Sequence, residues 1–172
     1  MTEYYMPDIP RLYTALAEWM ACLIFILPLK KRFSPAATGC LVAGAFGIQS
    51  VFLISTGGVR LIFWIPCMIF AVFLMVGFVF GSCEIRLTDA AYFGMIAFVA
   101  AEFMASAGWQ LLCYTGKEVR MSWWQQGMAI LLIYGVIAVI LYKILHAHLP
   151  KDGQMEITRK EYFSGLLISI AV

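Results

Sequence analysis

Charged side chains are scarce in this 172-residue chain, at 13% of its residues, whereas hydrophobic residues make up 63%. Soluble globular domains contain about 25% charged and 45–50% apolar residues. The shortage of charge therefore excludes an ordinary soluble domain and predicts an integral membrane protein that has the lipid bilayer as a partner. The formal net charge of +2 is too small to suggest nucleic acid as a partner.

Motifs for catalysis and cofactor binding are also missing. The chain contains no G-x-x-x-x-G-K-[ST] loop, no G-x-G-x-x-G, no H-E-x-x-H and no G-x-S-x-G. Its five cysteines are scattered without a Cys-x-x-Cys pair, which is typical of small apolar residues rather than of a metal or disulfide site. His146 and His148 have no third ligand nearby in the sequence, so we expect a solvated pair. The chain as given predicts no enzyme, no cofactor and no metal.

Long apolar runs are what the sequence does contain. A helix that spans a bilayer needs about 20 mostly apolar residues. The runs, with the proline, glycine and basic residues that separate them, predict an all-α, polytopic transmembrane helix bundle with five full spanning helices and the start of a sixth. The predicted helices cover residues 10–28, 35–55, 60–80, 89–113 and 123–146, and the incomplete helix covers 159–172.

Capping signals mark three of the predicted helix starts. Ser34 precedes a proline, as an N-cap residue often does, and Ser122 with Gln125 matches a capping box. Thr158 with Glu161 matches a second capping box, which opens the sixth helix. That helix has only about ten apolar residues, half of what a span requires, so we expect the chain to be truncated.

The basic residues in the short connections predict the orientation, because lysine and arginine accumulate on the cytoplasmic side. One set of connections carries Lys30, Lys31, Arg32, Arg86, Lys143, Lys151, Arg159 and Lys160. The other set carries Arg11, Arg60, Lys117 and Arg120. The bias predicts a multi-pass protein of the cell membrane with its N-terminus outside.

Two carboxylates interrupt the apolar runs, Glu18 in the first predicted helix and Glu102 in the fourth. A charged side chain at mid-membrane costs about 2.5–3.5 kcal/mol on insertion scales, so it indicates a functional site by default. At about 1.5 Å per residue, both glutamates come to a similar depth in the outer half of the bundle. They can form a polar layer that binds a ligand or couples to one. Alternatively, each is protonated or bonded to a neighbouring helix in a purely structural role.

Other polar side chains extend this layer. Ser106 and either Trp109 or Gln110 follow Glu102 at helical spacing, toward the outer end of the fourth helix. Gln49, near the outer end of the second helix, is a weaker candidate for the same layer. The predicted ligand-binding or signal-coupling residues are Glu18, Gln49, Glu102, Ser106, Trp109 and Gln110. The small residues Gly39, Ala43 and Gly47 instead predict a ridge against which another helix packs closely.

Two stretches of the chain resemble a known family. Residues 8–19 read Asp-Ile-Pro-Arg-Leu-Tyr-Thr-Ala-Leu-Ala-Glu-Trp, and residues 101–111 read Ala-Glu-Phe-Met-Ala-Ser-Ala-Gly-Trp-Gln-Leu. With the basic first inner connection, they resemble the membrane region of GHKL-type sensor histidine kinases of Gram-positive bacteria. More distantly, they resemble the receptor kinase of the Agr peptide quorum-sensing system.

The resemblance implies a membrane sensor, working as a homodimer, followed by a dimerisation helix and an ATP-binding domain that phosphorylates a response regulator. The given sequence contains neither the phosphoacceptor histidine nor the ATP-binding boxes of this family. No catalytic residue of the family can therefore be assigned in it, and the response regulator is a partner only through the missing kinase domain. We therefore expect a sensor module that perceives an extracellular or membrane signal. Two alternatives remain open, a small-molecule-binding membrane subunit of a transporter, such as a vitamin-type importer, and a membrane scaffold protein.

Overall fold

The computed structural model describes residues 8–58, 60–118 and 122–148. Its elements are α1 (Arg11–Ile26), α2 (Pro35–Ser55), α3 (Leu61–Ser82), α4 (Leu87–Glu118) and α5 (Trp123–His148). The predicted all-α class is confirmed. The segments long and apolar enough to cross a membrane are α2, Ile65–Ser82 of α3, Leu87–Thr115 of α4 and Trp123–Ile144 of α5. Within the described residues, four helices thus have spanning length where five were predicted. The predicted helix at 159–172 lies outside the described residues.

The first helix is shorter than predicted, with 16 residues, or about 24 Å at 1.5 Å per residue. It ends at Ile26 because Pro28 cannot continue the hydrogen-bond ladder of a helix. Lys31 takes the place of the missing donors, since its Nζ donates to the carbonyls of Ile26, Leu27 and Leu29 at 2.8, 2.6 and 2.9 Å. A basic side chain therefore satisfies the backbone at the end of α1.

The helices are arranged around α1, which contacts each of the other four. Around it, α2 contacts α3, α3 contacts α4 and α4 contacts α5. The Tyr13 and Trp109 rings meet with centroids 6.0 Å apart, and the Phe25 and Phe93 rings meet at 5.6 Å. The start of α1 therefore lies beside the end of α4, and the two helices are antiparallel. We call the side of the bundle at the start of α1 the Arg11 end, and the opposite side the Lys30 end.

Small residues allow α4 to approach its neighbours closely. Its buried small residues recur at helical spacing and are Ala90, Gly94, Ala97, Ala101, Ala105 and Gly108. A Cβ at Gly94 would clash with Val76 of α3, and one at Gly108 would clash with the ring of Tyr134 on α5. The close-packing face of this chain is therefore on α4.

Two connections pair with each other at the Lys30 end. The Arg32 N–H donates to the Ser82 carbonyl at 3.0 Å, and the Glu84 N–H donates to the Lys30 carbonyl at 2.9 Å. The Lys30 and Glu84 side chains form an exposed ion pair at 2.6 Å. This contact lowers the pKa of the Glu84 carboxyl and raises the pKa of the Lys30 ammonium. The α1–α2 connection is thereby attached to the α3–α4 connection.

Candidate functional site

The central polar contact of the bundle joins Glu18 of α1 to Gln49 of α2. Both side chains are buried, and Glu18 has no exposed surface. The Gln49 Nε2 donates a hydrogen bond to Glu18 Oε2. The other carboxyl oxygen, Glu18 Oε1, is buried and has no hydrogen-bond partner among the described residues. Buried polar atoms are nearly always paired, so an unpaired carboxyl oxygen at this position indicates a place for a missing donor.

Trp19, the next residue along α1, forms a second contact with α2. Its indole Nε1 donates to the Val42 carbonyl at 2.9 Å, and its ring lies 5.2 Å from that of Phe46. Val42 and Gln49 are two helical turns apart and therefore share a face of α2. The neighbouring residues Glu18 and Trp19 thus hold α2 at two points along one face.

A cavity of about 390 Å³ lies between α1, α2 and α3, and we call it the Glu18 cavity. Its lining is Glu18, Trp19, Cys22, Leu41, Gly44, Ala45, Ile48, Gln49, Phe73, Leu74, Met75, Gly77 and Phe78. The space exists partly because Gly44 and Gly77 lack side chains, since a Cβ at either position would meet nothing within 4 Å. Apart from the Glu18–Gln49 pair, the lining is predominantly apolar, as in most small-molecule sites.

The rim of the Glu18 cavity reaches the outer surface of the bundle. Ile48 and Phe73 line the cavity and are 61% and 67% exposed. Toward the Arg11 end, the Phe52 and Phe70 rings close the α2–α3 interface with centroids 4.9 Å apart. Both helices are long and apolar enough to span a membrane. The cavity therefore opens sideways, at the apolar outer surface of these two helices.

Charged groups surround the buried carboxylate. Glu18 interacts electrostatically with Glu102 of α4 and with Arg11 at the start of α1, and Arg11 also interacts with Glu102. Glu102 is half-buried and lies outside the cavity lining. Tyr134 of α5 also interacts with Glu102, and its buried hydroxyl has no hydrogen-bond partner among the described residues. The polar layer therefore involves four helices.

The remaining predicted residues lie elsewhere. Trp109 is half-buried against Tyr13, whereas Ser106 and Gln110 are exposed on the surface of α4. The structure thus brings Glu18, Gln49 and Glu102 together and leaves Ser106 and Gln110 on the outside.

The predicted packing ridge is exposed as well. Gly39, Ala43 and Gly47 face outward on α2, and a Cβ at Gly39 or Gly47 meets nothing within 4 Å. A packing role for this ridge stays a prediction, and it requires a partner other than the described helices.

No family model, curated protein or solved structure matches this chain.

Several residues of the site were not anticipated from the sequence. Trp19 was named only as the last residue of the stretch that resembles sensor kinases, although it is the second contact with α2. Gly44 and Gly77 were not among the predicted site or packing residues. Glycine is unfavourable in the interior of a helix, so two mid-helix glycines in neighbouring helices were the available signal for a cavity.

Proposed function

We propose that this chain is the membrane-embedded sensor module of a GHKL-type sensor histidine kinase, which perceives a ligand through its buried polar layer. The observation that carries the proposal is the Glu18–Gln49 pair at the Glu18 cavity, with one carboxyl oxygen unpaired. A structural role alone would be served best by full pairing, because each unpaired buried polar atom costs about 1–3 kcal/mol. A ligand that supplies the missing donor would recover that cost.

The position of α1 supports a sensing role. A ligand shifts a conformational equilibrium only if it interacts differently with the two states. A donor placed on Glu18 Oε1 adds a hydrogen bond beside the Gln49 contact and thereby changes the interaction between α1 and α2. Because α1 contacts all the other described helices, a change in its position alters the packing of the whole bundle. The Lys30 end, where α1 leads into the paired connections, then passes this change toward an output domain.

The proposed topology places the N-terminus outside the cell membrane. The short α1 is the first span of five, and residues 159–172 begin a sixth. The distribution of lysine and arginine supports this orientation. A seventh helix would then bring a kinase domain to the cytoplasm. The resemblance to sensor kinases suggests a homodimer, and the exposed ridge of Gly39, Ala43 and Gly47 would allow a second copy to approach closely.

The first test is to sequence the coding region beyond Val172. The proposal expects the reading frame to continue into further helical sequence, a phosphoacceptor histidine and an ATP-binding domain. A stop codon beside genes for transporter ATPase subunits would contradict the proposal and favour a transporter subunit.

The second test replaces Glu102 by glutamine in the host chromosome. Glu102→Gln removes a charge from the polar layer, so we expect altered output, measured as phosphorylation of the response regulator, with the amount of protein in the membrane unchanged. Asp8→Asn is the control, because Asp8 is an exposed carboxylate that precedes α1 and lies outside the polar layer. An identical response of Glu102→Gln and wild type across a full signal titration would remove Glu102 from the site.

A further inference from the structure

We propose that the Glu18 cavity binds an apolar molecule with one cationic amine, which enters sideways from the bilayer and donates a hydrogen bond to Glu18 Oε1 once the side chains that cover this oxygen have moved aside. This inference rests on the proposed function in treating the cavity as the sensing site, and it deepens that function by naming the ligand class. The hydrogen-bonding groups, the charge and the shape of the cavity together favour this ligand class.

The hydrogen-bonding groups call for a donor. Glu18 Oε2 already accepts from Gln49, whereas Glu18 Oε1 is buried without a partner. The neighbouring donor of Trp19 is used by the Val42 carbonyl. A carboxylate oxygen forms its strongest hydrogen bonds with ionised donors, so an ammonium group fits this position better than a neutral hydroxyl.

The charged residues near the site also favour a cationic ligand. Glu18 and Glu102 are two carboxylates, and Arg11 is the one cation that the described residues place in electrostatic contact with both. With both carboxylates ionised, the cluster has one excess negative charge. Burial works against this ionised form as long as no further cation is present. A buried charge is tolerated only when it is paired. A ligand with a single positive charge would neutralise the cluster, whereas an anionic ligand would be repelled.

The shape and lining define the rest of the ligand. One water-sized group occupies roughly 30 Å³. The cavity volume of about 390 Å³ therefore has room for about a dozen such groups. The lining beyond the polar pair is predominantly apolar, and its exposed rim residues Ile48 and Phe73 face lipid. An alkyl amine of about ten carbons dissolved in the bilayer can therefore enter between α2 and α3 with its chain against apolar side chains.

The test measures equilibrium binding of radiolabelled n-decylamine to the full chain in proteoliposomes, with protein-free vesicles as the background. We expect one saturable site per chain, competed by unlabelled decylamine and about tenfold less well by decanol, which has a neutral donor. Decanoate, with the same chain length and a negative charge, is expected not to compete. The absence of a saturable site, or equal competition by decanoate, would overturn the proposal.

Two glycine variants form a matched pair. Gly44→Leu fills the Glu18 cavity, whereas Gly135→Leu makes the same substitution in α5, outside the lining and with nothing within 4 Å of a Cβ. We expect Gly44→Leu to abolish saturable binding and Gly135→Leu to retain it. Gly77→Leu fills the same space from α3 and replaces Gly44→Leu in the binding test if Gly44→Leu does not fold. Wild-type binding in a folded Gly44→Leu or Gly77→Leu protein would refute the site.

Glu18→Gln tests the carboxylate with little change in shape. We expect decylamine affinity to fall about tenfold while the preference over decanol disappears. Equal affinity in Glu18→Gln and wild type would contradict an ammonium contact at Glu18. If decylamine binds at Glu18 but kinase output does not change, the ligand site is supported and the sensor function is refuted. If kinase output responds to another ligand and the amine does not bind, only the ligand class is refuted.

Discussion

Replacing Gln49 by leucine tests whether the Glu18–Gln49 hydrogen bond stabilises the bundle. Gln49 is 6% exposed, Glu18 is 0% exposed, and Glu18 Oε2 accepts from Gln49 Nε2. Leucine is close to glutamine in size, so the substitution removes the donor without leaving a large void. Because Glu18 Oε1 already lacks a partner among the described residues, Gln49→Leu would leave both carboxyl oxygens unpaired.

The expected magnitude follows from this geometry. Leaving a buried polar group unpaired costs about 1–3 kcal/mol, and more for a charged group. Interhelical hydrogen bonds in membranes average about 0.6 kcal/mol and reach about 1.7, because the unfolded state in the membrane also finds partners. The complete burial of Glu18 places the pair at the upper end of the membrane range, which overlaps the lower half of the range for an unpaired buried group. We therefore expect Gln49→Leu to lower the free energy of unfolding by about 1–2 kcal/mol.

The assay is equilibrium unfolding by sodium dodecyl sulfate in mixed micelles, followed by circular dichroism. A double-mutant cycle with Glu18→Leu isolates the pair, since replacing both partners by apolar groups is nearly neutral. Gln110→Leu, at an exposed position of α4, is the control and should change stability by less than Gln49→Leu. Additive single-variant effects, with no coupling between positions 18 and 49, would refute the reasoning.

Three further predictions concern packing, capping and thiol reactivity. Gly108→Ala should lower the free energy of unfolding by about 1–3 kcal/mol, because a Cβ at this position clashes with the buried ring of Tyr134. Gly127→Ala is the control and should not lower it, because a Cβ there meets nothing within 4 Å. Equal effects of the two substitutions would contradict the clash. Lys31→Met should cost about 1.5–3 kcal/mol in the same unfolding assay, the range for a hydrogen bond to a charged group, and a neutral effect would disprove its capping role. Burial raises the pKa of Cys83 to about 11, so in a variant keeping only this cysteine, alkylation at pH 8 should be about a hundredfold slower in native membranes than in denaturing detergent. The alkylation rate in native membranes should increase with pH up to the raised pKa. Similar alkylation rates in native membranes and in denaturing detergent would refute the burial of Cys83.

Local features of the structure follow directly from the sequence. The helix α2 has the bounds that its apolar run predicts, Pro35–Ser55. The Oγ of Ser34 accepts from the Ala37 N–H at 3.5 Å, and Gln125 Oε1 accepts from the Ser122 N–H at 2.8 Å. These contacts join residues only three positions apart, so the capping patterns contain all the information they need.

The site was predictable only in part. A carboxylate in an apolar run is unusual enough to single out Glu18 and Glu102, and Gln49 was expected in the same layer. Helical spacing places Ser106 and Gln110 near Glu102 on α4, but both are exposed. The spacing identifies residues that share a side of a helix without identifying the neighbour that this side meets. The alanine and glycine stripe of α4 determines which side is buried, because it allows the closest approach of neighbouring helices.

The sequence by itself determined the all-helical class, the approximate positions of the five described helices and the presence of polar residues in apolar segments, because composition, apolar run length and caps are local properties. Only the tertiary structure decided that Glu18 pairs with Gln49, 31 residues away, and that Gly44 and Gly77 come to line one cavity. These features depend on the rotation and offset of each helix against its neighbours. That arrangement arises from the packing of all the side chains together, so no single stretch of the sequence encodes it.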